Sequence, residues 1–227
     1  MRLHLFDLDG TLTDSRGGLY ASFRVGLAAV GCGDPTDAEL APFLGTPLPM
    51  VFRTLCPEIS QAGIDRGIQA FRVYYEQEGI FGNRLYPGAR DLLRAVSAIG
   101  GSAWIVTSKP EAQAVRVAAL LKIDALIAGV IGAGPEETDT KTELVARALS
   151  AAGMPASKTL MLGDRHYDII GARENGVLPV GALWGYGSRT ELTEAGCTRF
   201  VRTCAEYCSK YLLADAADPR EIVAAAG

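Results

Sequence analysis

Apolar and polar positions divide the chain into three stretches with different periods. Residues 3–8 form a short apolar run, typical of a strand buried in a parallel sheet, and two aspartates interrupt its end. From 15 to 84 the apolar residues recur at helical spacing. From 85 onward short apolar runs alternate with amphipathic segments. The pattern therefore predicts an α/β fold with a parallel sheet, interrupted after its first strand by an all-helical insertion.

The helical insertion is predicted to be a domain of its own, over 15–84, while 1–14 and 85–227 form the α/β core domain. Its longest predicted helix covers 61–78, where Ile64, Ile68 and Phe71 follow the helical repeat.

In the core domain the apolar runs predict further strands, at 103–106, 125–131, 159–162 and 178–183. A last short strand at 211–214 and a closing helix complete the prediction. The segment 184–188 is rich in glycine but lacks the lysine of a nucleotide-binding loop, so it is interpreted as a turn. The stretch 197–210 suggests no function.

The first group of candidate functional side chains stands where the opening apolar run ends. Asp7 and Asp9 are two residues apart, so in an extended chain both carboxylates point to the same face. Two such acids repel unless a cation lies between them or one holds a proton. Gly10 lets a backbone N–H approach a ligand, and Thr11 adds a hydroxyl donor. The alternative is that the aspartates only shape a turn.

Two later segments carry groups suited to a phosphate. Thr107 and Ser108 follow the run at 103–106, where a hydroxyl can hold a phosphate oxygen or simply cap the next helix. Lys141 begins a predicted helix, where the helix dipole disfavours a cation. That placement makes sense if the ammonium is directed at bound phosphate; the alternative is a solvated surface lysine.

The run at 159–162 ends in two acids, Asp164 and Asp168, four residues apart across a strand-to-helix turn. One face of the turn can carry both, which is an oxygen-donor layout suited to Mg²⁺. Arg165 and His166 stand between them. Nothing in the sequence orients the His166 ring, so a surface or supporting role is predicted for it.

These groups occur in the order of the motifs of the haloacid dehalogenase superfamily, and the segment 7–11 resembles that family's opening motif. The resemblance covers 3–192 and implies a Rossmann-like core with a helical cap that closes over a phosphate site. It implies that Asp7 attacks phosphorus and that Asp9 acts as general acid, then as base for the hydrolytic water. It also implies Mg²⁺ as cofactor, bound by Asp7, the Asp9 backbone carbonyl and Asp164.

Further roles are implied by the same resemblance. Thr107 and Lys141 would hold phosphate oxygens, and Asp168 would support the metal-binding carboxylates. The implied substrate-binding residues are Gly10, Thr11 and Ser108. In the cap, the candidate substrate contacts are Arg16, Arg24, Thr46, Tyr74, Tyr75, Asn83 and Arg84.

Within the superfamily the motifs look most like the phosphoglycolate phosphatase-like branch, which includes 5′-nucleotidases. The predicted function is Mg²⁺-dependent hydrolysis of a small phosphomonoester, of the phosphoglycolate or nucleoside monophosphate type, through an aspartyl phosphate. A sugar-phosphate mutase of the β-phosphoglucomutase kind uses the same motifs and is the alternative. Dehalogenation fits poorly, because relatives with that chemistry usually lack the acid that matches Asp9. A response-regulator receiver also fits poorly, because no helical insertion follows its first strand.

Composition and charge narrow the choice of partners and location. The 227 residues carry a net charge of −4 and no basic run, which disfavours a nucleic acid polymer as partner. No apolar stretch approaches the roughly 20 residues that a membrane span requires, and no signal-peptide pattern is present. We therefore predict a cytoplasmic location, no membrane partner, a small phosphorylated metabolite as substrate, and a monomer or weak homodimer.

The cysteines are scattered and odd in number, five in all. Cys204 and Cys208 are four residues apart with Cys197 nearby, but no CxxC spacing or nearby histidine supports a zinc site. A chain of this size needs no disulfide framework. All five, including Cys32 and Cys56, are predicted to be small buried residues with free thiols.

Overall fold

The computed structural model describes residues 2–134 and 138–212. The chain divides into two compact units, Met1–Thr13 with Leu85–Gly227, and Asp14–Arg84. The first unit is α/β and the second is helical. The boundary predicted from the sequence lies one residue later at the first junction.

The strands of the described chain are β1 (Leu3–Phe6), β2 (Thr13–Asp14), β3 (Arg84–Leu85), β4 (Ser102–Pro110), β5 (Gly129–Ala133), β6 (Thr159–Gly163), β7 (Leu178–Ala182) and β8 (Phe200–Val201). Six of them form one sheet in the order β5-β4-β1-β6-β7-β8, and every neighbouring pair is parallel. Strands β2 and β3 form a separate two-stranded sheet. The predicted α/β fold with a parallel sheet is confirmed.

The α-helices of the described chain are α1 (Arg16–Ala28), α2 (Asp37–Leu40), α3 (Leu48–Leu55), α4 (Gln61–Gln77), α5 (Ala89–Ala98), α6 (Glu111–Leu120), α7 (Lys141–Ala152), α8 (His166–Glu174), α9 (Arg189–Glu194) and α10 (Cys204–Tyr211). The first four make up the helical unit, and the other six belong to the α/β unit. Within the described residues, no helix is both long and apolar enough to cross a bilayer.

Strand β1 lies at the centre of the sheet, and all four of its residues are buried. Leu3 and Leu5 join a core cluster with Val106 of β4 and Met161 of β6, and α7 contributes Leu144 to it. Helices cover the strand faces, so apolar side chains are favoured at successive positions rather than at alternate ones. This explains why the sequence shows short continuous apolar runs.

The chain order reverses at β1, which pairs with β4 on one side and with β6 on the other. In open α/β sheets the crevice at such a reversal, outside the carboxyl ends of the strands, is where ligands bind. Asp7 directly follows β1 and Asp164 directly follows β6, while Thr107 lies near the end of β4. The topology therefore brings together three segments that are far apart in sequence.

The helical unit has an apolar and aromatic interior. Phe71 of α4 lies against Phe23 of α1 and stacks with Tyr75. Helices α1 and α4 approach closely where Gly26 faces Gly67, because a Cβ at Gly26 would lie 2.7 Å from the Gly67 carbonyl oxygen. This close approach explains why glycines are found inside two helices, where they otherwise reduce stability.

The prediction of free thiols at Cys32 and Cys56 was wrong. The two cysteines form a disulfide in the helical unit, with their Cα atoms 6.0 Å apart. Cys32 follows α1, and Cys56 directly follows α3. The pair was missed because a 24-residue separation carries no local pattern, and only the packing of the helices brings the two thiols together.

Two predicted strands also differ from the structure. The strand expected at 125–131 begins only at Gly129, because Asp124–Leu126 form a turn of 3-10 helix. An apolar run does not distinguish a strand from such a turn. The strand expected at 211–214 is not formed at Tyr211, which ends α10, and its last two residues and the closing helix lie outside the described residues.

Candidate active site

Asp7 and Lys141 form a buried ion pair at the carboxyl end of β1. The Lys141 ammonium lies 2.7 Å from Asp7 Oδ1 and 2.9 Å from Asp168 Oδ1, and it donates to the Val106 carbonyl at 3.1 Å. Burial alone would lower the pKa of Lys141, but the Asp168 and Asp7 carboxylates outweigh it and raise that pKa above its ordinary value. Lys141 is thus a buried cation and not a solvated surface lysine.

The Asp164 carboxylate is fully buried and held on both oxygens. Thr11 donates its hydroxyl to Oδ1 at 2.8 Å, and the Tyr186 backbone N–H donates to Oδ2 at 2.8 Å. Burial, and then the charges of Asp7 and Asp168, raise the pKa of Asp164 to about 8. These two hydrogen bonds do not offset the cost of burying the charged carboxylate, so a cation beside Asp164 would stabilise its ionised form.

Three glycines pack closely against Asp164, two against its side chain and one against its main chain. A Cβ at Gly10 would lie 2.3 Å from Asp164 Oδ2, and a Cβ at Gly185 would lie 2.3 Å from the Asp164 Cβ. A Cβ at Gly187 would lie 2.0 Å from the Asp164 carbonyl oxygen. Gly10 also has φ +93°, a conformation that L side chains rarely adopt. The loop interpreted as a simple turn is therefore part of the site.

Asp7, Asp164 and Asp168 together offer a set of ligand atoms for a metal. One carboxylate oxygen from each lies within 4.8 Å of the others, and all three residues are buried. Burial, opposed by Lys141 and reinforced by Asp168, raises the pKa of Asp7 to about 7. With one lysine beside them, three buried acids cannot all be ionised unless a further cation is present, and hard oxygen donors suit Mg²⁺. The residues therefore fit a divalent cation.

Asp9 is not one of these three aspartates, and it has its own partner, Lys109. Lys109 Nζ is 2.6 Å from Asp9 Oδ2, and the Lys109 and Asp9 side chains are 7% and 18% exposed. Thr13 also donates to Asp9 Oδ1, at 3.4 Å. The structure thus gives Asp7 and Asp9 different lysines, although the sequence spacing places them on one face.

The remaining predicted residues take different positions. Thr107 is buried and accepts a hydrogen bond from the Lys109 backbone N–H at 3.2 Å, whereas Ser108 is exposed. The Thr11 hydroxyl donates to Asp164, so this predicted substrate-binding residue is engaged within the protein. Asp168 Oδ2 accepts from the Arg165 backbone N–H at 3.1 Å and thereby caps α8.

Sequence reasoning missed Lys109 and Glu191. Glu191 accepts from His166 Nδ1 at 2.8 Å, so the structure orients a ring for which the sequence offered no partner. For Lys109 a signal was present, because a basic residue directly follows the hydroxyl pair at the end of β4. For Glu191 the local signal pointed elsewhere, to helix capping.

Several candidate substrate contacts in the helical unit are engaged inside that unit. Arg16 pairs with Asp14, and the Arg24 guanidinium donates to the Pro35 carbonyl at 3.0 Å. Asn83 donates to the Tyr75 hydroxyl at 3.0 Å and to the Ile80 carbonyl at 2.7 Å. These contacts stabilise the helical unit itself.

The described cysteines of the α/β unit do not belong to the carboxylate cluster. Cys197 and Cys204 are buried free thiols, as predicted, while Cys208 is partly exposed. Burial raises the pKa of Cys204 to about 12. Among the described residues they form no metal-binding group, since the three aspartates are the group of that kind.

The family model for haloacid dehalogenase-like hydrolases matches residues 4–182. A 5′-nucleotidase from Pseudomonas aeruginosa is 35% identical over 83% of this chain and 85% of its own length. A phosphoglycolate phosphatase from Pseudomonas syringae is 28% identical over 96% of this chain and 85% of its own. The tyrosine-protein kinase PtkA of Mycobacterium tuberculosis is 31% identical over 82% of this chain but only 63% of its own.

Solved structures agree with this relationship. A haloacid dehalogenase-like hydrolase from Streptococcus pneumoniae has a TM-score of 0.86 at 29% identity and covers 93% of this chain and 98% of its own. The family match covers both Asp7 and Asp164 and runs to the end of β7. The chain therefore belongs to the haloacid dehalogenase-like hydrolase family, among its phosphatases.

Proposed function

We propose that this protein is a Mg²⁺-dependent phosphatase that hydrolyses a small phosphomonoester, of the phosphoglycolate or nucleoside monophosphate type, through an aspartyl phosphate on Asp7. One observation carries the proposal: Asp7, Lys141, Asp164 and Asp168 converge at the carboxyl ends of β1 and β6. Three buried acids with a single lysine contribute little to the stability of the fold. The same groups are suited to binding a cation and a phosphate.

Asp7 is the proposed nucleophile. Its carboxylate forms a bond to phosphorus while the ester P–O bond breaks, and the leaving oxygen takes a proton from Asp9. Asp9 then accepts a proton from the water that attacks the phosphorus, which releases phosphate and regenerates Asp7. Lys141, held 2.7 Å from Asp7 Oδ1, offsets the charge on the nucleophile and the transferred phosphoryl group.

Asp7, Asp164 and the Asp9 carbonyl would hold the metal, and Asp168 would support them. When bound, Mg²⁺ would reduce the repulsion between the Asp7 carboxylate and the substrate phosphate. Lys141 would retain its contact with Asp168, which keeps the ammonium in place. Thr107, buried at the end of β4, would donate its hydroxyl to a phosphate oxygen.

The substrate class rests on the relatives. The similarity to a 5′-nucleotidase and to a phosphoglycolate phosphatase supports small phosphomonoesters. A negative net charge supports a small substrate over a nucleic acid polymer.

The test is phosphate release from phosphoglycolate, nucleoside 5′-monophosphates, sugar phosphates and pyrophosphate, each with Mg²⁺ and with EDTA. We expect release from one of the first two classes, abolished by EDTA. Full release in EDTA would contradict the metal requirement. Release confined to sugar phosphates or pyrophosphate would contradict the proposed substrate class.

A second candidate is phosphoryl transfer to a hydroxyl other than that of water. The similarity to a tyrosine-protein kinase favours considering it, and a mutase would use the same aspartate pair. The two candidates differ in stoichiometry, because a hydrolase releases one phosphate for each substrate consumed. Consumption of substrate or ATP without phosphate release, with a phosphorylated product, would favour transfer.

A further inference from the structure

Glu191 is the Glu of a Ser-x-x-Glu sequence whose side chain does not close the expected capping box. Ser188 caps α9 by accepting from the Glu191 N–H at 3.0 Å, so half of the box is present. In two other helices the box is complete, and Glu39 and Glu143 return to the backbone N–H of their own N-cap residues, at 2.8 and 2.7 Å. The Glu191 carboxylate is directed elsewhere.

The Glu191 carboxylate accepts three hydrogen bonds on one oxygen, Oε1, from Arg165 and His166, the two residues that follow Asp164. Arg165 Nε lies 2.8 Å from Glu191 Oε1, the His166 backbone N–H lies at 2.9 Å, and His166 Nδ1 lies at 2.8 Å. Glu191 is partly buried, with 25% of its side chain exposed. Burial opposes ionisation, but these donors lower the pKa of Glu191 to about 2, so the carboxylate is charged.

The first turn of α8 depends on this carboxylate. Asp168 accepts from the Arg165 N–H, and Glu191 accepts from the next N–H in the chain, that of His166. These are backbone donors that a helix leaves without partners at its start. The segment between Asp164 and Asp168 is thus held at one end by Asp168 itself and in the middle by Glu191.

We infer that Glu191 is a positioning residue for the metal-binding carboxylates, acting through Arg165 and His166 to set the spacing of Asp164 and Asp168. This inference rests on the proposed function, because it assumes that these carboxylates hold Mg²⁺. Groups that orient metal ligands commonly change metal affinity when removed, by about 10- to 100-fold. Glu191 itself would contact neither the metal nor the substrate.

The experiment is a calorimetric titration of the purified full-length protein with MgCl₂, comparing wild type, Glu191→Ala and Glu194→Ala. Glu194 lies on the same helix and is exposed, so it is a matched control. We expect Glu191→Ala to bind Mg²⁺ at least about tenfold more weakly and Glu194→Ala to bind like wild type. In the phosphatase assay, high Mg²⁺ should restore the turnover of Glu191→Ala, a recovery that damage to the fold would not show.

Equal Mg²⁺ affinity in wild type and Glu191→Ala would overturn the inference. If circular dichroism shows that Glu191→Ala is unfolded, Glu191→Gln keeps an acceptor oxygen and removes the charge. An affinity loss of at least about threefold in that variant would then support the inference, and an unchanged affinity would overturn it. Failure of the proposed function is visible separately, because wild type would then release no phosphate from the substrate panel, whereas the inference is decided by the Mg²⁺ affinities of wild type and variant.

Discussion

The two units of the chain differ in how deeply they bury their ion pairs. In the α/β unit the side chains of Lys141 and Asp7 form an ion pair while only 5% and 10% exposed. In the helical unit the Arg24 and Asp37 side chains pair while 33% and 70% exposed. The helical interior is built of aliphatic and aromatic side chains such as Leu27 and Phe71, and the ion pairs of Arg16 and Arg24 are partly exposed to water.

The difference shows what each unit contributes. Surface ion pairs add little stability and perturb their groups weakly, so the helical unit is built as an ordinary packed structure. Buried acids are unfavourable unless they are compensated, and the α/β unit concentrates them at the ends of β1 and β6. The unfavourable free energy of burying these acids is tolerated where they bind a ligand. The buried acids therefore mark the α/β unit as the one that carries the candidate site.

The largest effect is expected when the carboxylates of the opening motif are removed. We expect Asp7→Asn to lower phosphatase turnover at least about a thousandfold, because the proposed nucleophile is lost. Asp9→Asn should lower it at least about a hundredfold, because the proton donor is lost. Asp91→Asn is the control, since that side chain is 79% exposed. Circular dichroism should show all three variants folded; near-normal turnover by Asp7→Asn would refute the mechanism.

The disulfide tests whether the helical unit depends on a covalent link. Cys32 and Cys56 are 24 residues apart, and a closed loop of that size stabilises by about 3 kcal/mol. We expect the double change Cys32→Ser, Cys56→Ser to lower the free energy of unfolding of this unit by about that amount. Urea unfolding followed by circular dichroism measures it. Cys208→Ser, which removes a partly exposed free thiol, is the control. A reductant that leaves the wild-type transition unchanged would contradict the link.

His4 is a buried histidine of β1, and the side chain that it contacts by a hydrogen bond, Tyr207, carries no charge. Its Nδ1 lies 2.8 Å from the Tyr207 hydroxyl, and burial, with a smaller contribution from Arg2, lowers the pKa of His4 to about 4. The unfolded chain takes up this proton near pH 6.5, so stability is lost as the pH falls from there towards 4. We expect the stability advantage of wild type over His4→Gln to shrink by about 2 kcal/mol between pH 7 and pH 5.

Urea titrations at both pH values measure this change. The buried aspartates are present in both proteins, so their titration cancels in the difference. Tyr207→Phe serves as a control because it keeps the histidine, and it should retain most of the pH dependence. An advantage that is the same at both pH values would mean that His4 does not resist protonation in the folded state.

The smallest effect is expected from an ion pair of the helical unit. Asp37→Asn removes one of the two carboxylates that pair with Arg24, the other being that of Asp34, and because the Arg24 and Asp37 side chains reach water we expect a loss of only about 0.5 kcal/mol in the free energy of unfolding. The Arg24 guanidinium keeps its hydrogen bond to the Pro35 carbonyl. Thermal unfolding measures the change, and adding 0.5 M NaCl to wild type should reproduce part of it. A loss above 2 kcal/mol would contradict the view that charge is unimportant for this unit.

Much of the fold could be predicted, because buried strands and amphipathic helices have local periods. The candidate site residues Asp7, Thr107 and Asp164 could be named for the same reason, since each stands at or near the end of an apolar run. Their nearness follows from the rule that strand ends in a parallel sheet meet at one edge. The start of β5 was missed because apolar residues also occur in the turn that precedes it.

Periodicity along the chain was enough to predict the central strands and the alternation of strands and helices, and the sequence also supplied the charge balance and the residue types available for phosphate and metal chemistry. The side-chain pairs became visible only in the folded chain: Lys109 with Asp9, Glu191 with His166, and Cys32 with Cys56. The cause is the distance between the partners along the chain. Periodicity and capping act over a few residues, whereas these pairs join residues 100, 25 and 24 positions apart, and burial together with packing selects them.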